Sequence, residues 1–342
     1  MRDLDPAALD CLAALADDGS FERAAQRLSI TQSAVSQRLR ALESQVGQLL
    51  VVRSRPLRLT EPGKVLLRFA RQLQAMRADV ARELGETVQT QTRLPIAVNA
   101  DSLATWILPA LDSLVQQGRN DGFGLELIVD DQDFTHEWLR QGQVLGCVST
   151  VPSALRGCRI TALGVMHYSA VASPGFVAAA MGGDAEGGLH RGNFAQLPFL
   201  VFNRKDDMQA QWVSKAFGIN EPRLMERFVP SSEAYARAAV LGWGIGVLPE
   251  LQVRDAIARG ELIVLHPEVS IDVALYWHQW KLGDEFSAGA PRAARLDEVG
   301  AALVAGAGAA LGAAPDRAAP QRKAGLRSGS ARRAVRARSP AD

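Results

Sequence analysis

The sequence is poor in the residues that build disulfide frameworks and metal sites. Its 342 residues include only three cysteines, Cys11, Cys147 and Cys158, with no CxxC spacing. This odd number supports neither a disulfide framework nor a zinc site. The five histidines are widely scattered and show no HxxxH spacing, so they form no recognisable ligand set. We therefore expect neither a metal nor a cofactor.

Long uncharged apolar runs are also missing. No stretch approaches the roughly 18 apolar residues of a membrane-spanning helix. The acidic start, MRDLDPAALDCLAALADDGS, lacks the basic region and the apolar core of a signal peptide. No GxSxG, Walker or DxD arrangement stands in a supporting context, so no nucleophile–base pair is visible. These absences predict a cytoplasmic protein that has no membrane segment and is not an enzyme.

Charges of opposite sign are separated along the chain. Lys and Arg number 38 and Asp and Glu 37, a net charge of +1. Counted by segment, residues 1–91 carry +2, residues 92–312 carry −7 and residues 313–342 carry +6. Such segregation predicts different partners for different parts of the chain. The length, about twice the ~150 residues of an average domain, predicts two or three domains.

Two short helices near the amino terminus are predicted to form a helix-turn-helix. FERAAQRL (21–28) has one apolar face, and Thr31 can cap a second helix, QSAVSQRLRALESQVG (32–47). In that second helix an apolar stripe at helical spacing leaves a Gln, Ser and Arg face on the other side. The alternative interpretation is a three-helix bundle with a solvated polar face.

The chemistry of this polar face fits DNA. Gln and Ser can hydrogen-bond to base edges, and Arg contacts guanine or phosphate. Between Arg23 and Lys64 the basic residues exceed the acidic ones by six, which suits phosphate contact. The predicted DNA-contacting residues are Arg23, Thr31, Gln32, Ser33, Ser36, Gln37, Arg38, Arg40, Arg53 and Arg55.

A long helix is predicted from Pro62. Its apolar residues form a near-heptad seam, which is typical of a helix buried against its own copy: Leu66, Phe69, Leu73, Met76, Val80 and Leu84. A homodimer or homotetramer is therefore expected, since paired units also supply two half-sites on DNA. The alternative is packing of the seam on the chain's own core.

These residues carry a family resemblance. FERAAQRLSITQSAVSQRLRALESQVGQLLVVRSRPLRLTEPGK resembles, without a gap, the amino-terminal signature of LysR-type transcriptional regulators. The resemblance implies a winged helix-turn-helix DNA-binding domain over residues 1–60, a linker and dimerisation helix over 61–91, and double-stranded DNA as a partner.

Residues 92–308 alternate predicted strands and helices, beginning with LPIAVN, SLATWILPALDSLVQQ and GLELIVD. This pattern predicts an α/β effector-binding domain with a mostly parallel sheet and helices on both faces. We expect two lobes with a cleft between them, a periplasmic-binding-protein-like arrangement. Lobe I would comprise about 92–165 and 268–308, and lobe II about 166–267.

Polar residues gather where the predicted strands end and the helices begin. Hydroxyls and free backbone N–H groups at helix starts suit a carboxylate, and buried carboxylates need a cation as partner. Together they predict a ligand that carries one carboxylate and at least one cationic group. The alternative is that each residue is an ordinary helix cap. The predicted effector-binding residues are Asn99, Asp101, Ser102, Thr105, Asp130, Asp131, Asp206, Asp207, Ser231, Ser232 and Glu233.

AVNADSLATWILPAL, VFNRKDDMQ and FVPSSEAYARAA are similar to the lysine/arginine-sensing LysG/ArgP branch of the LysR family. The resemblance implies an activator of a basic amino acid exporter gene with lysine or arginine as effector, and RNA polymerase as a further candidate partner. It implies that Ser102 and Thr105 lie near the α-carboxylate, and that Asp101 and Glu233 face the α-ammonium. The side-chain cation would meet one of the aspartates Asp130, Asp131, Asp206 or Asp207. The alternatives are a LysR-type regulator of a different metabolite and a solute-binding module without regulatory role.

The last segment, 309–342, is rich in Ala, Gly and Arg. Between residues 313 and 342 it has eight basic and two acidic residues with few large apolar ones, a composition that cannot form a core. We expect a basic disordered tail, either adding non-specific DNA affinity or simply tolerated.

Overall fold

The computed structural model describes residues 4–54, 57–83, 92–117, 123–130, 135–183, 188–281 and 291–313. Its amino-terminal part confirms the predicted winged helix-turn-helix followed by a linker helix. The elements are α1 (Pro6–Asp18), α2 (Phe21–Arg27), α3 (Gln32–Val46), β1 (Val51–Val52), β2 (Arg58–Leu59) and α4 (Glu61–Glu83).

The DNA-binding domain has a core of its own. The side chain of Asp5 caps α1 by accepting from the backbone N–H of Ala7 at 3.0 Å. One apolar face of α1 then packs on the buried stripe of α3 and on Leu67 of α4. The buried stripe of α3 comprises Val35, Leu39 and Leu42, which follow the predicted helical spacing.

The linker helix α4 has two apolar faces, whereas the sequence predicted one seam. Leu66 and Leu73 pack against the core of the DNA-binding domain, because α1 lies along this side of α4. The exposed apolar line is instead Val65, Phe69, Met76 and Val80, at near-heptad spacing. Leu84 lies outside the described residues.

The second part of the chain is an α/β domain. Its elements, in chain order, are β3 (Thr92–Asn99), α5 (Ala100–Ser102), a π-helical turn (Leu103–Ile107), α6 (Leu108–Gln117), β4 (Phe123–Asp130), α7 (Thr135–Arg140), β5 (Gly146–Ser149), β6 (Cys158–Ala172), α8 (Pro174–Ala180), a 3₁₀ turn (Phe194–Gln196), β7 (Pro198–Val201), α9 (Met208–Phe217), β8 (Met225–Phe228), α10 (Ser232–Val240), β9 (Gly246–Pro249), α11 (Glu250–Ala258), β10 (Ile263–Trp280) and α12 (Pro291–Ala310).

The main sheet has six strands in the order β4-β3-β5-β10-β6-β9. It is mixed, and the prediction of a mostly parallel sheet was wrong. Strand β3 pairs in parallel with β4 and β5, but β10 and β6 run antiparallel to each other along most of their length. Strand β6 leads from the first predicted lobe to the second, and strand β10 leads back to the first. Strands β7 and β8 form a separate parallel pair, and the pairing of β6 with β10 shifts register between Leu265 and Ser270 and between Leu275 and Tyr276.

The carboxyl terminus is ordered further than expected. Helix α12 continues to Ala310, and the backbone of Gly312 then pairs with Val165 of β6 through N–O distances of 3.0 and 3.2 Å. Residues 309–312, which were predicted to belong to the tail, therefore include the end of α12 and a backbone pairing with the sheet. Residues 314–342 lie outside the described part of the chain.

Two further observations concern the described residues alone. None of their helices is both long and apolar enough to cross a membrane. Within the same residues no group of three His, Cys, Asp or Glu side chains is placed to hold a metal ion. Cys11, Cys147 and Cys158 are buried and unpaired, and burial raises the pKa of the Cys158 thiol to about 12. These thiols are therefore protonated and poorly reactive at neutral pH.

Candidate DNA-binding surface and effector cleft

The turn between α2 and α3 is fixed by local hydrogen bonds. Ser20 caps α2 by accepting from the N–H of Arg23 at 3.1 Å, and Thr31 caps α3 by accepting from that of Ala34 at 3.2 Å. Ser29 adopts a φ of 53° between the two helices. These caps place the start of α3 at the protein surface.

The polar face of α3 is free of the core. Thr31, Gln32, Ser33, Gln37 and Arg40 are exposed and Ser36 is half-buried. Side chains at the start of an exposed helix can enter the major groove of B-DNA. The solvent-facing position of this surface agrees with the predicted recognition helix.

Arg38 differs from its neighbours. It is half-buried, and its guanidinium hydrogen-bonds to the Cys11 side chain; burial nevertheless raises the pKa of that thiol. The guanidinium is thus turned at least partly toward the chain's own core. A role in packing competes with the predicted contact to DNA.

The flanking arginines lie beside the helix pair. Arg23 and Arg53 are exposed, and the guanidinium of Arg53 lies 5.1 Å from the centroid of the Phe21 ring. This cation–π contact holds Arg53 next to the start of α2 while leaving its charge at the surface. Arg55 lies outside the described residues.

The second candidate site is a cleft that contains about 520 Å³ of empty space, including the part open to solvent. It lies where β3, β6 and β9 meet the helix starts of α5 and α10. No Lys or Arg is among its described lining residues. These are Asn99, Ala100, Asp101, Tyr168, Phe202, Asp206, Met208, Gln209, Ser232, Tyr235, Val247, Leu248 and Pro249.

Asp101 joins the two sides of the cleft. Its carboxylate accepts from the hydroxyl of Tyr168 on β6 at 2.8 Å and from that of Ser232 at the start of α10 at 2.7 Å. Ser232 is itself buried and lies 131 residues further along the chain. A carboxylate held in this way keeps a fixed position for a cationic group.

Asp206 supplies a second carboxylate at the cleft. It accepts from the backbone N–H groups of Phe202 at 2.9 Å and Met208 at 3.1 Å, and from the amide of Gln209 at 3.0 Å. Gln209 also bonds to the hydroxyl of Tyr235 at 3.0 Å. Burial strongly raises the pKa of Tyr235, so its hydroxyl stays protonated and donates to the carbonyl of Leu200 at 2.7 Å.

Two buried polar atoms beside the cleft are unsatisfied. Among the described residues, Asn99 Oδ1 and Ser102 Oγ have no hydrogen-bond partner, and both side chains are at most 2 % exposed. An orphaned buried polar atom costs free energy unless a water or ligand satisfies it. Asn99 lines the cleft, whereas Ser102 lies behind the lining.

The structure brings four of the predicted effector residues together at the cleft: Asn99, Asp101, Asp206 and Ser232. The other predicted effector residues that the structure describes are not among the lining residues. The hydroxyl of Thr105 donates to the carbonyl of Asp101 at 2.7 Å. The carboxylate of Asp130 accepts from the indole of Trp138 at 2.8 Å.

Three predicted effector residues in the second half of the domain also lie outside the lining. Exposed Asp207 bonds to Gln211 at 2.7 Å. Ser231 caps α10 and donates to exposed Glu233 at 3.2 Å. Asp131 lies outside the described residues. The capping alternative describes Ser231, whereas Asp207 makes no side-chain cap hydrogen bond.

Sequence reasoning missed Tyr168, Gln209 and Tyr235. All three are buried polar side chains whose hydrogen bonds hold the two cleft carboxylates or the strands around them. A tyrosine inside an apolar strand, as in VMHYSAV, is one available signal, since buried Tyr hydroxyls usually find a partner. Gln209 and Tyr235 give no such signal because they lie within helices.

Comparison with known proteins gives a family match for each of the two parts of the chain. Residues 6–64 match the family described as bacterial regulatory helix-turn-helix protein, lysR family, and residues 88–285 match the LysR substrate binding domain. The chain therefore belongs to the LysR family of transcriptional regulators, which bind DNA and are not enzymes.

Several proteins to which the chain is similar are regulators named ArgP or LysG. The chain is 41% identical over 283 residues to the HTH-type transcriptional regulator ArgP of Aeromonas salmonicida, covering 82% of this chain and 92% of that protein. It is 37% identical over 279 residues to the lysine export transcriptional regulatory protein LysG of Corynebacterium glutamicum, covering 82% and 92%. A solved structure of full-length LysG from Corynebacterium glutamicum with bound effector Arg aligns with a TM-score of 0.66 and 34% identity, over 90% of this chain and 99% of that one.

Proposed function

We propose that this regulator senses arginine or lysine in the cleft and activates the gene of a basic amino acid exporter. The observation that carries the proposal is the pair of carboxylates, Asp101 and Asp206, in a cleft without a basic side chain among its described lining residues. Two separated carboxylates suit a ligand with two cationic groups. The LysG relative with bound Arg supports the same ligand class.

The α-carboxylate of such a ligand also finds suitable partners. The helix starts of α5 and α10 both open toward the cleft through Ala100, Asp101 and Ser232. Backbone N–H groups at helix starts attract anions. Asp101 is proposed to meet the α-ammonium, and Asp206 the side-chain cation. Ligand binding then shifts the regulator between states that hold DNA differently.

Selection of DNA from a random pool, followed by gel shift with and without arginine or lysine, tests this function. Replacing Gln32 and Gln37 by Ala should lower the preference for selected over random DNA by about tenfold or more, since each lost base contact is worth roughly 1–3 kcal/mol. The salt dependence should stay unchanged, because phosphates are held by other side chains.

Gln48→Ala is the matched control, because Gln48 is exposed in the same domain but lies beyond the end of α3. An amino acid screen by thermal shift measures effector choice on the full chain. Absence of sequence preference in the unmodified protein would contradict the DNA-reading role. If no basic amino acid raises the midpoint of thermal unfolding, the proposed effector is contradicted.

A homodimer through α4 is part of the proposal, with RNA polymerase as a further partner of the DNA-bound form. The exposed line of Val65, Phe69, Met76 and Val80 would be buried against a second copy. Met76→Glu should weaken dimerisation by about tenfold or more, because a carboxylate would enter an apolar seam.

Sedimentation over a concentration series measures that dimerisation. Gln48→Glu adds the same charge at an exposed position off α4 and should leave the association constant unchanged. Equal association of Met76→Glu and the unmodified protein would place the subunit contact elsewhere.

A further inference from the structure

The linker helix α4 contacts the effector domain at the end of α7 and at the turn that follows it. The guanidinium of Arg68 donates to the carbonyl of Arg140, and that of Arg71 donates to the carbonyl of Gly142. The last carbonyls of a helix lack partners within the helix and carry its negative dipole end. Arg68 therefore caps α7 with positive charge, and Arg71 binds the turn that follows the helix.

The contact between Arg68 and Gly142 is tightly packed. Gly142 is buried with a φ of +71°, and a Cβ at this position would lie 2.2 Å from Cγ of Arg68. No larger residue fits there without moving α4. The guanidinium of Arg68 also lies 5.8 Å from the centroid of a Trp280 ring, which adds a cation–π contact at the end of β10.

Charged pairs flank the contact. Lys64 of α4 lies 3.9 Å from Glu137 of α7, and Glu61 of α4 lies 3.9 Å from Arg140. The largest effect on Glu137 is its hydrogen bond from Arg140, which lowers the pKa of this carboxyl. Such exposed pairs contribute little free energy, but their alternating signs fix which way α4 lies across α7.

Arg71 extends the contact into the DNA-binding domain. Its second amino group pairs with Asp17 at the end of α1, and the Arg71 side chain is only 14% exposed. A single guanidinium thus bonds both to the effector domain and to the helix that packs on α3. A half-buried charge with two fixed partners is costly to rearrange.

The far side of α7 is tied to the cleft. Trp138 of α7 donates to Asp130 at 2.8 Å, and Asp130 is the register partner of Asn99 on the neighbouring strand. Asn99 lines the cleft. One short helix therefore touches, through Trp138, a residue paired with the cleft lining and carries the linker contact at its carboxyl end.

We propose that α7 is the coupling element of this regulator: Arg68, bound to its last carbonyl, and Arg71, bound to the turn that follows it, transmit the state of the cleft to the orientation of the DNA-binding domain. This inference rests on the proposed function for the identity of the ligand. The existence of the contact and its role in ligand response are separate and can be measured separately.

Hydrogen exchange on the full chain tests the contact without any ligand. In the double variant Arg68→Ala/Arg71→Ala, amides 141–145 should exchange faster by at least about tenfold, since local opening loses its stabilising partners. Arg77→Ala is the matched control, because Arg77 lies on the same helix but pairs with Asp10 of its own domain. Unchanged exchange at 141–145 in the double variant would overturn the proposal.

Gel shift with and without arginine or lysine tests the coupling. The double variant should still bind DNA and should still be stabilised by the amino acid, but the ligand-induced change in DNA affinity should fall to less than about twofold. Gly142→Ala, which pushes on the contact from the effector side, should give the same result if α7 transmits the signal.

The outcomes separate the two proposals. A full ligand response in the double variant, at normal ligand affinity, would overturn the coupling role of α7 and leave the proposed function intact. An unmodified protein that binds neither amino acid would overturn the proposed function and the ligand-driven coupling together. In that case the exchange measurement would still report on the contact alone.

Discussion

Asp101→Asn is expected to lower the affinity for arginine and lysine by at least about 30-fold, because removal of one partner of a buried, hydrogen-bonded charge pair typically costs 2–5 kcal/mol. The asparagine keeps the shape of the side chain, and its single oxygen can accept from one of the two hydroxyls, that of Tyr168 or that of Ser232. What it removes is the negative charge proposed to face the α-ammonium. Isothermal titration of the full chain measures the change.

Asp112→Asn is the matched control for this prediction. Asp112 lies in the same lobe on α6, is exposed, and bonds only to the nearby Gln116 at 3.3 Å among the interactions described. The same loss of charge there should leave affinity within about twofold, since exposed charges are largely screened. Equal affinities of the unmodified protein and Asp101→Asn would remove Asp101 from the effector site.

Stability must be measured beside affinity, because Asp101 also joins the two sides of the cleft. Its hydrogen bond with Ser232 is lost or weakened when the carboxylate is replaced. Ser232→Ala removes the same bridge but keeps the charge of Asp101. We expect Ser232→Ala to retain more ligand affinity than Asp101→Asn, which separates the contribution of the charge from that of the bridge.

The amino-terminal domain was predictable because its signals are local. Ser20 and Thr31 cap the helices that follow them, and both effects depend on residues within three positions. The apolar stripe of α3 is likewise set by helical period alone. The linker seam was predicted only in part, since the side of α4 that α1 covers depends on tertiary packing.

Strand direction in the effector domain could not be read from the sequence. The alternation of strands and helices indicated a parallel sheet, yet β6 and β10 pair antiparallel over a long register. Period and composition identify a strand but not its neighbour. The pairing of β6 with β10 therefore decides the topology of the sheet, and the alternating pattern of strands and helices did not predict it.

The residues of the cleft were likewise predictable from the sequence only in part. Asp101 and Ser232 were found because each stands at a helix start, yet their 2.7 Å contact spans 131 residues and depends on how the lobes close. Asp207 and Glu233 stand at similar positions and face solvent. A polar residue at a helix start is equally compatible with capping and with ligand contact, so only the packing of strands distinguishes them.

Acidification should destabilise the protein through a buried histidine pair, a second large effect. His278 on β10 is fully buried. Its Nε2 lies 2.9 Å from the carbonyl of Val151, to which it can donate, and its Nδ1 has no partner among the described residues. The ring of His136 on α7 lies 5.2 Å away, centroid to centroid, in an edge-on arrangement. An added proton on His278 would therefore be buried beside another imidazole.

Burial, and then the neighbouring His136, lower the pKa of His278 to about 4, and burial lowers that of His136. In the unfolded chain a histidine titrates near 6.5. Between these values the unfolded state binds more protons than the folded state, so stability falls as the pH falls. The loss from His278 between pH 7 and pH 4 is roughly 3 kcal/mol.

Denaturant unfolding at pH 7 and at pH 4.5 measures this loss. His278→Gln keeps a neutral amide donor for Val151 and does not titrate, so its free energy of unfolding should fall less on acidification than that of the unmodified protein. His190→Gln, at an exposed position, should follow the unmodified profile. Because carboxylates contribute equally to all three proteins, the difference isolates His278. Parallel profiles for His278→Gln and the unmodified protein would show that the buried imidazole is not the group that titrates.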